Sequence, residues 1–205
     1  MSASVTVVDY GAGNLRSLRA ALERLDARAE VTDSPADVER AGIIVVPGVG
    51  AAGPAMERLE AAGLAAAIRA AADRGAHVLG ICLGLQLLFE RSAEGDVECL
   101  GLLPGVVRRI DWAGTVPHMG WNDVTPADGD PLGDALPAVC YFAHTYVAEP
   151  AYAGDVIATT ELDGRSFASV VGRGRVAAVQ FHPERSGPAG RALLAALLRR
   201  AADAA

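Results

Sequence analysis

The sequence predicts an α/β protein of three layers, in which helices cover both faces of one mixed β-sheet. In the first half of the chain, short apolar runs alternate with segments in which leucine recurs at helical spacing. That alternation is typical of parallel strands joined by helices. In the second half, strand-like runs follow one another with few helices between them. We therefore expect a parallel core to which antiparallel strands are added.

The first half contains four predicted strands. The run at residues 43–46 is apolar throughout, as expected for a strand in the middle of a parallel sheet. Ser34 and Pro35 predict a helix start, because serine caps a helix and proline is tolerated in its first turn. A turn at residues 11–14 precedes the first helix. The strands are predicted at residues 5–9, 29–32, 43–46 and 76–81, and the other helices at residues 15–26 and within 54–74.

The second half is predicted to be rich in strands and to end in a helix. The segment at residues 172–175 is typical of a hairpin connection between two of these strands. No linker, repeat or low-complexity segment interrupts the chain, so we predict a single domain over residues 1–205. The strands are predicted at residues 106–110, 138–148, 156–161, 167–171 and 176–181, and the helix at 190–202.

Composition and charge exclude several classes of function. The 205 residues are 51% hydrophobic and 21% charged, which suits a globular protein with a full core. A net charge of −7 argues against a general nucleic-acid binder, which needs a basic face. All 18 basic residues are arginine, so lysine chemistry is not available. No apolar run is long enough to span a bilayer and no signal peptide is recognisable, which predicts a cytoplasmic protein without membrane contact.

Three cysteines indicate a reduced compartment and one reactive thiol. Cys82, Cys99 and Cys140 are odd in number and lack CxxC spacing, which suits neither a disulfide framework nor a zinc site. We predict no metal and no other cofactor. Cys99 and Cys140 lack any motif around them, so we predict that both are structural.

The segment Gly80-Ile81-Cys82-Leu83-Gly84 carries the clearest chemical pattern. A predicted strand ends, a potential nucleophile follows, and glycines lie two residues before and two residues after it. This is the arrangement of a nucleophile elbow, a turn too tight for a Cβ atom at the glycine positions. A predicted helix follows, and its N-terminus would favour the thiolate form of the sulfur. The alternative is a buried cysteine that serves only as a small apolar residue.

A base for this thiol is predicted at His182. It ends a strand-like run, where catalytic side chains project from α/β sheets. Pro183 favours an extended backbone at His182, and residues two apart in an extended segment point the same way. Glu184 can therefore orient the imidazole and stabilise its charged form. Alone, the segment is equally consistent with a surface histidine and a solvated carboxylate.

The same edge of the sheet offers donors for an oxyanion. The backbone N–H of Leu83, directly after the candidate nucleophile, is one of them. A glycine-rich loop at residues 47–50 follows a central strand and should lie beside Cys82. A backbone N–H of Val49 or Gly50 is the predicted second donor. The alternative is a plain turn without a chemical role.

Together these motifs resemble the class I glutamine amidotransferases, which combine a cysteine elbow, a late His-Pro-Glu segment and an early Pro-Gly loop. Within that class, the chain is similar to the glutaminase subunits of imidazole glycerol phosphate synthases of histidine biosynthesis. The resemblance spans essentially the whole chain and implies a flavodoxin-like three-layer fold. It is carried by the segments at residues 9–17, 47–50, 80–86, 118–122, 141–146 and 180–186.

The resemblance implies a reaction and a partner. Cys82, His182 and Glu184 match the family's triad, which hydrolyses glutamine to glutamate and ammonia through a cysteine thioester. Gln86 and Gly50 are implied to hold the glutamine. The ammonia would pass to a cyclase subunit, a (βα)8 barrel that forms a heterodimer with the glutaminase. That subunit converts the intermediate PRFAR into imidazole glycerol phosphate and the ribotide AICAR.

Transfer of ammonia implies a partner interface close to the triad. Aromatic residues are common interface anchors, although Trp121 and Tyr141 could also be core residues. His77 is predicted to be a core histidine with its hydrogen bonds satisfied. His118 and His144 lie in the resembling segments, but the sequence assigns them no role. The predicted interface residues are Asn14, Met119, Trp121, Asn122 and Tyr141.

Three alternatives remain open at the level of sequence. One is a glutaminase subunit of a different class I enzyme, such as anthranilate synthase, which should lack the segment at residues 118–122. Another is a stand-alone γ-glutamyl hydrolase that needs no partner. The third is a binding subunit without activity, against which the intact cysteine, histidine and glutamate argue.

Overall fold

The computed structural model of the chain describes residues 4–127, 132, 135, 136 and 138–203. Within these residues, thirteen strands form one mixed sheet with helices packed on it. The strands are β1 (Ser4–Val8), β2 (Arg28–Thr32), β3 (Ile43–Gly48), β4 (His77–Cys82), β5 (Arg91–Ser92), β6 (Val97–Glu98), β7 (Gly105–Arg109), β8 (His118–Pro126), β9 (Ala138–His144), β10 (Tyr146–Pro150), β11 (Val156–Leu162), β12 (Arg165–Arg173) and β13 (Val176–Val179). The helices are α1 (Leu15–Glu23), α2 (Pro35–Arg40), α3 (Ala52–Ala61), α4 (Leu64–Asp73), α5 (Leu83–Leu87) and α6 (Gly187–Asp203).

The sheet has a parallel half and an antiparallel half. Its main path runs β2-β1-β3-β4-β13-β12-β10-β7-β5-β6. The strands from β2 to β13 pair in parallel, whereas the pairs β13–β12, β12–β10 and β10–β7 are antiparallel. At the far edge, β5 pairs in parallel with β7 and antiparallel with β6. On a branch, β11 pairs with β12, β8 with β11 and β9 with β8. The predicted mixed sheet, parallel at its core with antiparallel additions, is confirmed.

The central strands bury side chains on both faces, as their apolar sequence predicts. On β3, Val45 belongs to one cluster of buried residues, whereas Ile44 and Val46 belong to a second cluster. Because successive side chains of a strand point to opposite faces, each cluster fills one side of the sheet. Helix α6 packs into the first cluster and helices α3 and α4 into the second. Among the described residues, no helix combines the length and apolar character needed to cross a bilayer.

The register of the central strands brings three segment ends together. Gly48 at the end of β3 is the registered partner of Cys82 at the end of β4. On the other side of β4, Ile81 pairs with Val179 at the end of β13. The residues that follow Val179 therefore run alongside Cys82. This is why the two distant motifs at residues 80–84 and 180–184 meet at one edge.

The prediction of one continuous strand at residues 138–148 is wrong, because two strands occupy this segment. Strand β9 ends at His144 and pairs with β8, whereas β10 begins at Tyr146 and pairs with β7 and β12. Thr145 separates the two strands. Strand-like sequence lies on both sides of this point because both strands bury side chains. The pattern therefore gave no sign that the chain changes partners here.

Other predicted boundaries also differ from the structure. Helix α1 ends at Glu23 rather than at residue 26, because a tight turn with Asp26 at a φ of 56° reverses the chain into β2. The helical segments predicted within 54–74 are two helices, of which the first begins earlier, at Ala52; they are separated at Gly63, which has a left-handed φ of 70°. Strand β8 was not predicted, because its sequence mixes polar, aromatic and glycine residues. The short strands β5 and β6 were not predicted either.

Candidate active site

The turn at Cys82 is sharp and closely packed. Cys82 is not a glycine, yet it has a φ of 55° and a ψ of −109°, a backbone conformation that costs energy and persists only when the surroundings hold it. A Cβ atom at Gly84 would run into the carbonyl oxygen of Val46. A Cβ atom at Gly80 would lie 2.8 Å from the main chain of Gly84. The prediction that both positions require glycine is confirmed.

The sulfur of Cys82 lies in a nearly closed environment, with the residue only 5% exposed. Its Sγ is 3.9 Å from the carbonyl oxygen of Ala143 and 3.9 Å from Nε2 of Gln180. Helix α5, which follows the turn, spans only five residues. Its dipole is correspondingly small, so stabilisation of a thiolate must come mainly from neighbouring side chains.

His182 is held in place by its own main chain. Its N–H donates to the carbonyl oxygen of Tyr141 at 2.9 Å. Its carbonyl oxygen accepts from Oγ of Ser186 at 2.6 Å, and the same Oγ accepts from the N–H of Tyr141 at 2.9 Å. Ser186 is 1% exposed. These bonds tie the segment after β13 to β9 and fix where the imidazole projects.

The imidazole of His182 lies between a thiol and a carboxylate. Its Nδ1 is 3.0 Å from Oε1 of Glu184, and the two side chains are 6% and 4% exposed. Burial lowers the pKa of His182, but hydrogen bonds to Cys82 and Glu184 and the charges of both groups outweigh it and raise the pKa to about 10. The raised pKa favours the imidazolium form of His182, which is the form that stabilises a neighbouring thiolate.

The loop after β3 lies beside the elbow, as predicted. The hydroxyl of Tyr10 donates to the carbonyl oxygen of Pro47 at 2.7 Å. A Cβ atom at Gly48 would lie 2.6 Å from that hydroxyl and 2.8 Å from Cβ of Leu83. The main chain of the loop is thus in close contact with the first residue of α5. Both segments line one cleft of about 310 Å³, to which Val49, Gly50 and Leu83 contribute.

The cleft brings together the predicted site residues and adds Glu94, which the sequence analysis missed. Cys82, His182, Glu184 and Gln86 line the cleft with Glu94. Glu94 lies between the short strands β5 and β6, in a segment without a recognisable motif. Its Oε2 accepts from the N–H of Ala52 at 2.8 Å. Only a prediction that the loop between β5 and β6 faces this edge of the sheet could have pointed to Glu94.

Comparison with known proteins identifies the family of this site. The chain matches the family described as glutamine amidotransferase class-I over residues 6–201. It belongs to that family.

The similarity extends to named members of the family. An imidazole glycerol phosphate synthase subunit HisH from Moorella thermoacetica is 47% identical over 89% of this chain and 88% of its own length. A subunit of the same name from Symbiobacterium thermophilum is 45% identical over 94% of this chain and 92% of its own. A third, from Cutibacterium acnes, is 43% identical over 93% of both chains. The chain is a glutamine amidotransferase, and the names of these relatives indicate a subunit of a larger enzyme.

Solved structures confirm the fold. A crystal structure of a glutamine amidotransferase superposes with a TM-score of 0.77 at 24% identity, over 96% of this chain and 98% of the other. A structure of PurLQS from Thermotoga maritima gives a TM-score of 0.75 at 22% identity, over 98% of this chain and 99% of the other. At such low identity the likeness concerns the arrangement of strands and helices.

An exposed aromatic face borders the cleft of this amidotransferase. Met119 and Trp121 project from one side of β8 and are 64% and 59% exposed. The ring of Trp121 meets that of Tyr141 edge to face at 6.1 Å. The guanidinium of Arg185 lies 4.2 Å from the centre of the Tyr141 ring. We call Met119, Trp121, Tyr141 and Arg185 the aromatic face.

Two other predicted interface residues of the amidotransferase have internal contacts. Asn122 lies on the opposite side of β8 from Trp121, and its Nδ2 donates to the carbonyl oxygen of Glu161 at 2.8 Å. Asn14 is exposed at the cleft, and its Oδ1 caps α1 by accepting from the N–H of Ser17 at 3.3 Å. Contact of either residue with a partner stays a prediction.

The remaining thiols and His77 behave as structural groups. Cys99 and Cys140 are buried, and burial raises the pKa of each thiol to about 11, which keeps both protonated at neutral pH. His77 is 7% exposed, and its Nε2 accepts from Nη1 of Arg175 at 2.9 Å. Burial lowers the pKa of this histidine, in agreement with a neutral acceptor. The burial of all three residues agrees with the structural interpretation, which stays a prediction.

Proposed function

We propose that this chain is the glutaminase subunit of an imidazole glycerol phosphate synthase and that Cys82, His182 and Glu184 form its catalytic triad. The observation that carries the proposal is the buried imidazole of His182, whose Nδ1 lies 3.0 Å from Oε1 of Glu184 and which shares a cleft with Cys82 at the ends of two adjacent parallel strands. A charged imidazole between a thiol and a carboxylate is what cysteine-dependent acyl transfer requires.

The first half of the reaction forms a thioester. The thiolate of Cys82 attacks the carbon of the glutamine side-chain amide, and the carbonyl oxygen takes up the negative charge. The N–H of Leu83 and an N–H of Val49 or Gly50 would donate to this oxyanion. As the C–N bond breaks, Nε2 of His182 gives its proton to the departing nitrogen, which leaves as ammonia.

The second half releases glutamate. His182, now neutral, takes a proton from a water molecule as the water attacks the thioester carbon. The second oxyanion collapses, the C–S bond breaks and the thiolate of Cys82 is restored beside the imidazolium. Glu184 keeps the imidazole in one orientation through both steps, because its Oε1 accepts from Nδ1 throughout.

The cleft also offers acceptors for the amino group of the substrate. Nε2 of Gln86 donates to the carbonyl oxygen of Tyr146 at 3.0 Å and to Oε1 of Gln180 at 3.2 Å. Both hydrogens of this amide are thereby used, so Gln86 can offer the substrate only its amide oxygen. That oxygen and the carboxylate of Glu94 suit the α-ammonium group of glutamine, and Gly50 leaves room beside them.

The aromatic face is the proposed site of partner docking. Large exposed aromatic and methionine side chains that border a cleft are typical of interface anchors. A cyclase subunit with a (βα)8 barrel, seated there in a heterodimer, would receive ammonia directly from the cleft. The common arrangement of all these residues around one edge of one sheet supports a single domain over residues 1–205.

The test is glutamate release from glutamine, measured with and without the cyclase subunit and its nucleotide ligand. We expect strong stimulation by the liganded partner in the wild type and in Cys99→Ala, and none in Cys82→Ala. Cys99→Ala is the matched control because it also removes a buried thiol. Equal activity without the partner would point instead to a stand-alone hydrolase. Stimulation by a different synthase would reassign the pathway.

A further inference from the structure

Two buried histidines that the reaction does not use form part of a continuous hydrogen-bond chain. Nδ1 of His118 lies 3.0 Å from Nε2 of His144. Nδ1 of His144 lies 2.9 Å from the carbonyl oxygen of Tyr146. The two residues are 8% and 5% exposed. At its outer end the chain begins on β8, where Nδ2 of Asn122 is 3.4 Å from Nε2 of His118.

The carbonyl oxygen of Tyr146 sets the direction of every bond in this arm. A carbonyl oxygen can only accept, so His144 must carry its hydrogen on Nδ1. Burial lowers the pKa of His144 to about 3 and lowers that of His118, so both rings are neutral. Nε2 of His144 therefore accepts from Nδ1 of His118. By the same logic, Nε2 of His118 accepts from Asn122.

The same oxygen sets the direction of a second arm, which ends at the candidate nucleophile. Tyr146 accepts from Nε2 of Gln86, and the other hydrogen of that amide goes to Oε1 of Gln180. With its oxygen committed, Gln180 presents Nε2 to Sγ of Cys82 at 3.9 Å. Gln180 is 0% exposed.

We propose that this chain, from Asn122 to Gln180, is a positioning device that keeps an N–H of Gln180 directed at the sulfur of Cys82. His118, His144 and Gln86 are its positioning residues. The inference rests on the proposed function only in taking Cys82 as the nucleophile.

The direction of the Gln180 amide matters because the sulfur, besides the imidazole of His182, also faces a carbonyl oxygen. The carbonyl oxygen of Ala143, also 3.9 Å from Sγ, can only accept and thus favours the protonated thiol. The N–H of Gln180 favours the thiolate. If the amide rotated by half a turn, two oxygens would face the sulfur. That rotation would also place the nitrogen of Gln180 against the nitrogen of Gln86, so the chain resists it.

The surroundings of the histidine pair make each bond in the chain costly to lose. The ring of His118 stacks on Phe142 with centres 4.9 Å apart, and the ring of His144 meets Phe167 at 5.2 Å. A donor or acceptor left unpaired in such an apolar setting loses the full benefit of solvation. Phenylalanine at either histidine position would keep the ring packing and remove only the hydrogen bonds.

The experiment is the rate of Cys82 alkylation by iodoacetamide as a function of pH, followed by mass spectrometry of the Cys82 peptide. In Gln180→Leu we expect a rate about three- to tenfold lower at pH 7 and a pH profile displaced to higher pH. His144→Phe should displace the profile in the same direction by a smaller amount. In the double variant, His144→Phe should add nothing to Gln180→Leu.

Phe167→Leu is the matched control, because it loosens the packing of His144 without removing a hydrogen bond. It should lower the melting temperature and leave the pH profile unchanged. The proposal is overturned by an unchanged profile in Gln180→Leu, by additive effects in the double variant, or by an equal displacement in Phe167→Leu. If His144→Phe fails to fold, His118→Phe breaks the chain one bond farther out and is judged in the same way. Because alkylation needs neither glutamine nor a partner, its outcome is independent of the proposed function.

Discussion

The parallel and antiparallel halves of the sheet each contribute a buried histidine to the same cleft, with opposite electrostatic results. His182 follows the parallel strand β13, and its pKa is raised to about 10. His144 ends the antiparallel strand β9, and its pKa is lowered to about 3. Burial lowers the pKa of both rings. The difference lies in their partners, since His182 contacts a carboxylate and a thiol whereas His144 contacts a carbonyl oxygen and another imidazole.

The comparison indicates that the two halves of the sheet have different roles. The parallel half holds the side chains of Cys82, His182 and Glu184 on a main chain that leaves almost no free space at the elbow. The antiparallel half supplies neutral hydrogen bonds and an exposed aromatic surface. Changes in the first half should therefore alter chemistry or folding, and changes at the exposed aromatic surface of the second should alter partner binding.

The largest expected effect is that of Glu184→Gln. The amide oxygen can still accept from Nδ1 of His182, so the geometry persists while the negative charge is lost. We expect stimulated glutamate release to fall about a thousandfold or more, as when the charge that orients a catalytic histidine is removed elsewhere. The wild-type imidazolium persists until the pH rises through about 10. The variant should lose it at lower pH, which moves the alkaline limit of activity downward.

The control for this change is Glu149→Gln, which removes an exposed carboxylate paired with Arg108. Its turnover should equal that of the wild type. A similar loss in both variants would mean that the charge on Glu184 has no special role, and the contrast between the two histidines would lose its functional meaning.

The next largest effect is on folding, at the elbow. Gly84→Ala places a methyl group against the carbonyl oxygen of Val46, and we expect a loss of about 3 kcal/mol in the free energy of unfolding. Gly53→Ala is the matched control, because no atom lies within 4 Å of the added Cβ atom and the residue is in helix α3. It should be neutral or stabilise by up to about 1 kcal/mol. Urea unfolding of both variants measures the difference, and equal stabilities would show that the elbow can relax.

A smaller effect is expected in the antiparallel half, and of a different kind. Trp121→Ala should weaken binding of the cyclase subunit by about 2 kcal/mol, roughly thirtyfold in Kd, without changing the melting temperature. Tyr152→Ala removes another exposed aromatic residue, one that lies outside the cleft and contacts Arg173. It should bind the partner like the wild type. Calorimetric titration distinguishes the two, and equal affinities would remove the aromatic face as the docking site.

The smallest effect is expected for Tyr10→Phe. The hydroxyl that donates to the carbonyl oxygen of Pro47 is lost, at a cost of about 1 kcal/mol in stability. Because that bond holds the loop with the candidate oxyanion donors, turnover should fall several-fold while the KM for glutamine changes little. A change confined to KM would indicate that the loop holds substrate rather than the oxyanion.

The parallel half was largely predictable because its constraints are local. These constraints can be recognised from residue types in the sequence: glycines at 80 and 84, a fully apolar strand and a proline after His182. The register that brings the segment after Val179 beside Cys82 then follows from the parallel pairing of β13 with β4. The roles of Cys82, His182 and Glu184 in catalysis stay predictions, although the structure brings their side chains together.

The antiparallel half was less predictable because its constraints depend on distant partners. The end of β9 at His144 is set by which strands lie beside it, and strand-like sequence resumes directly after Thr145. The contacts of Glu94 and Gln180 are with segments distant in sequence, which come together only in the folded sheet. Asn122 and Trp121 are adjacent on β8, so their side chains point to opposite sides of the strand. Because β8 was not predicted, the sequence could not show on which side each of them lies.

The bond from the N–H of His182 to the carbonyl oxygen of Tyr141 gives the protein a natural reporter. That amide hydrogen exchanges with deuterium only when β9 separates from the segment that carries the imidazole. Its exchange rate therefore counts the openings of the site in the resting protein, in the absence of any substrate. The side chain of Tyr141 belongs to the aromatic face. Slower exchange on docking would therefore measure how strongly a bound partner stabilises the contact between β9 and the segment that carries His182.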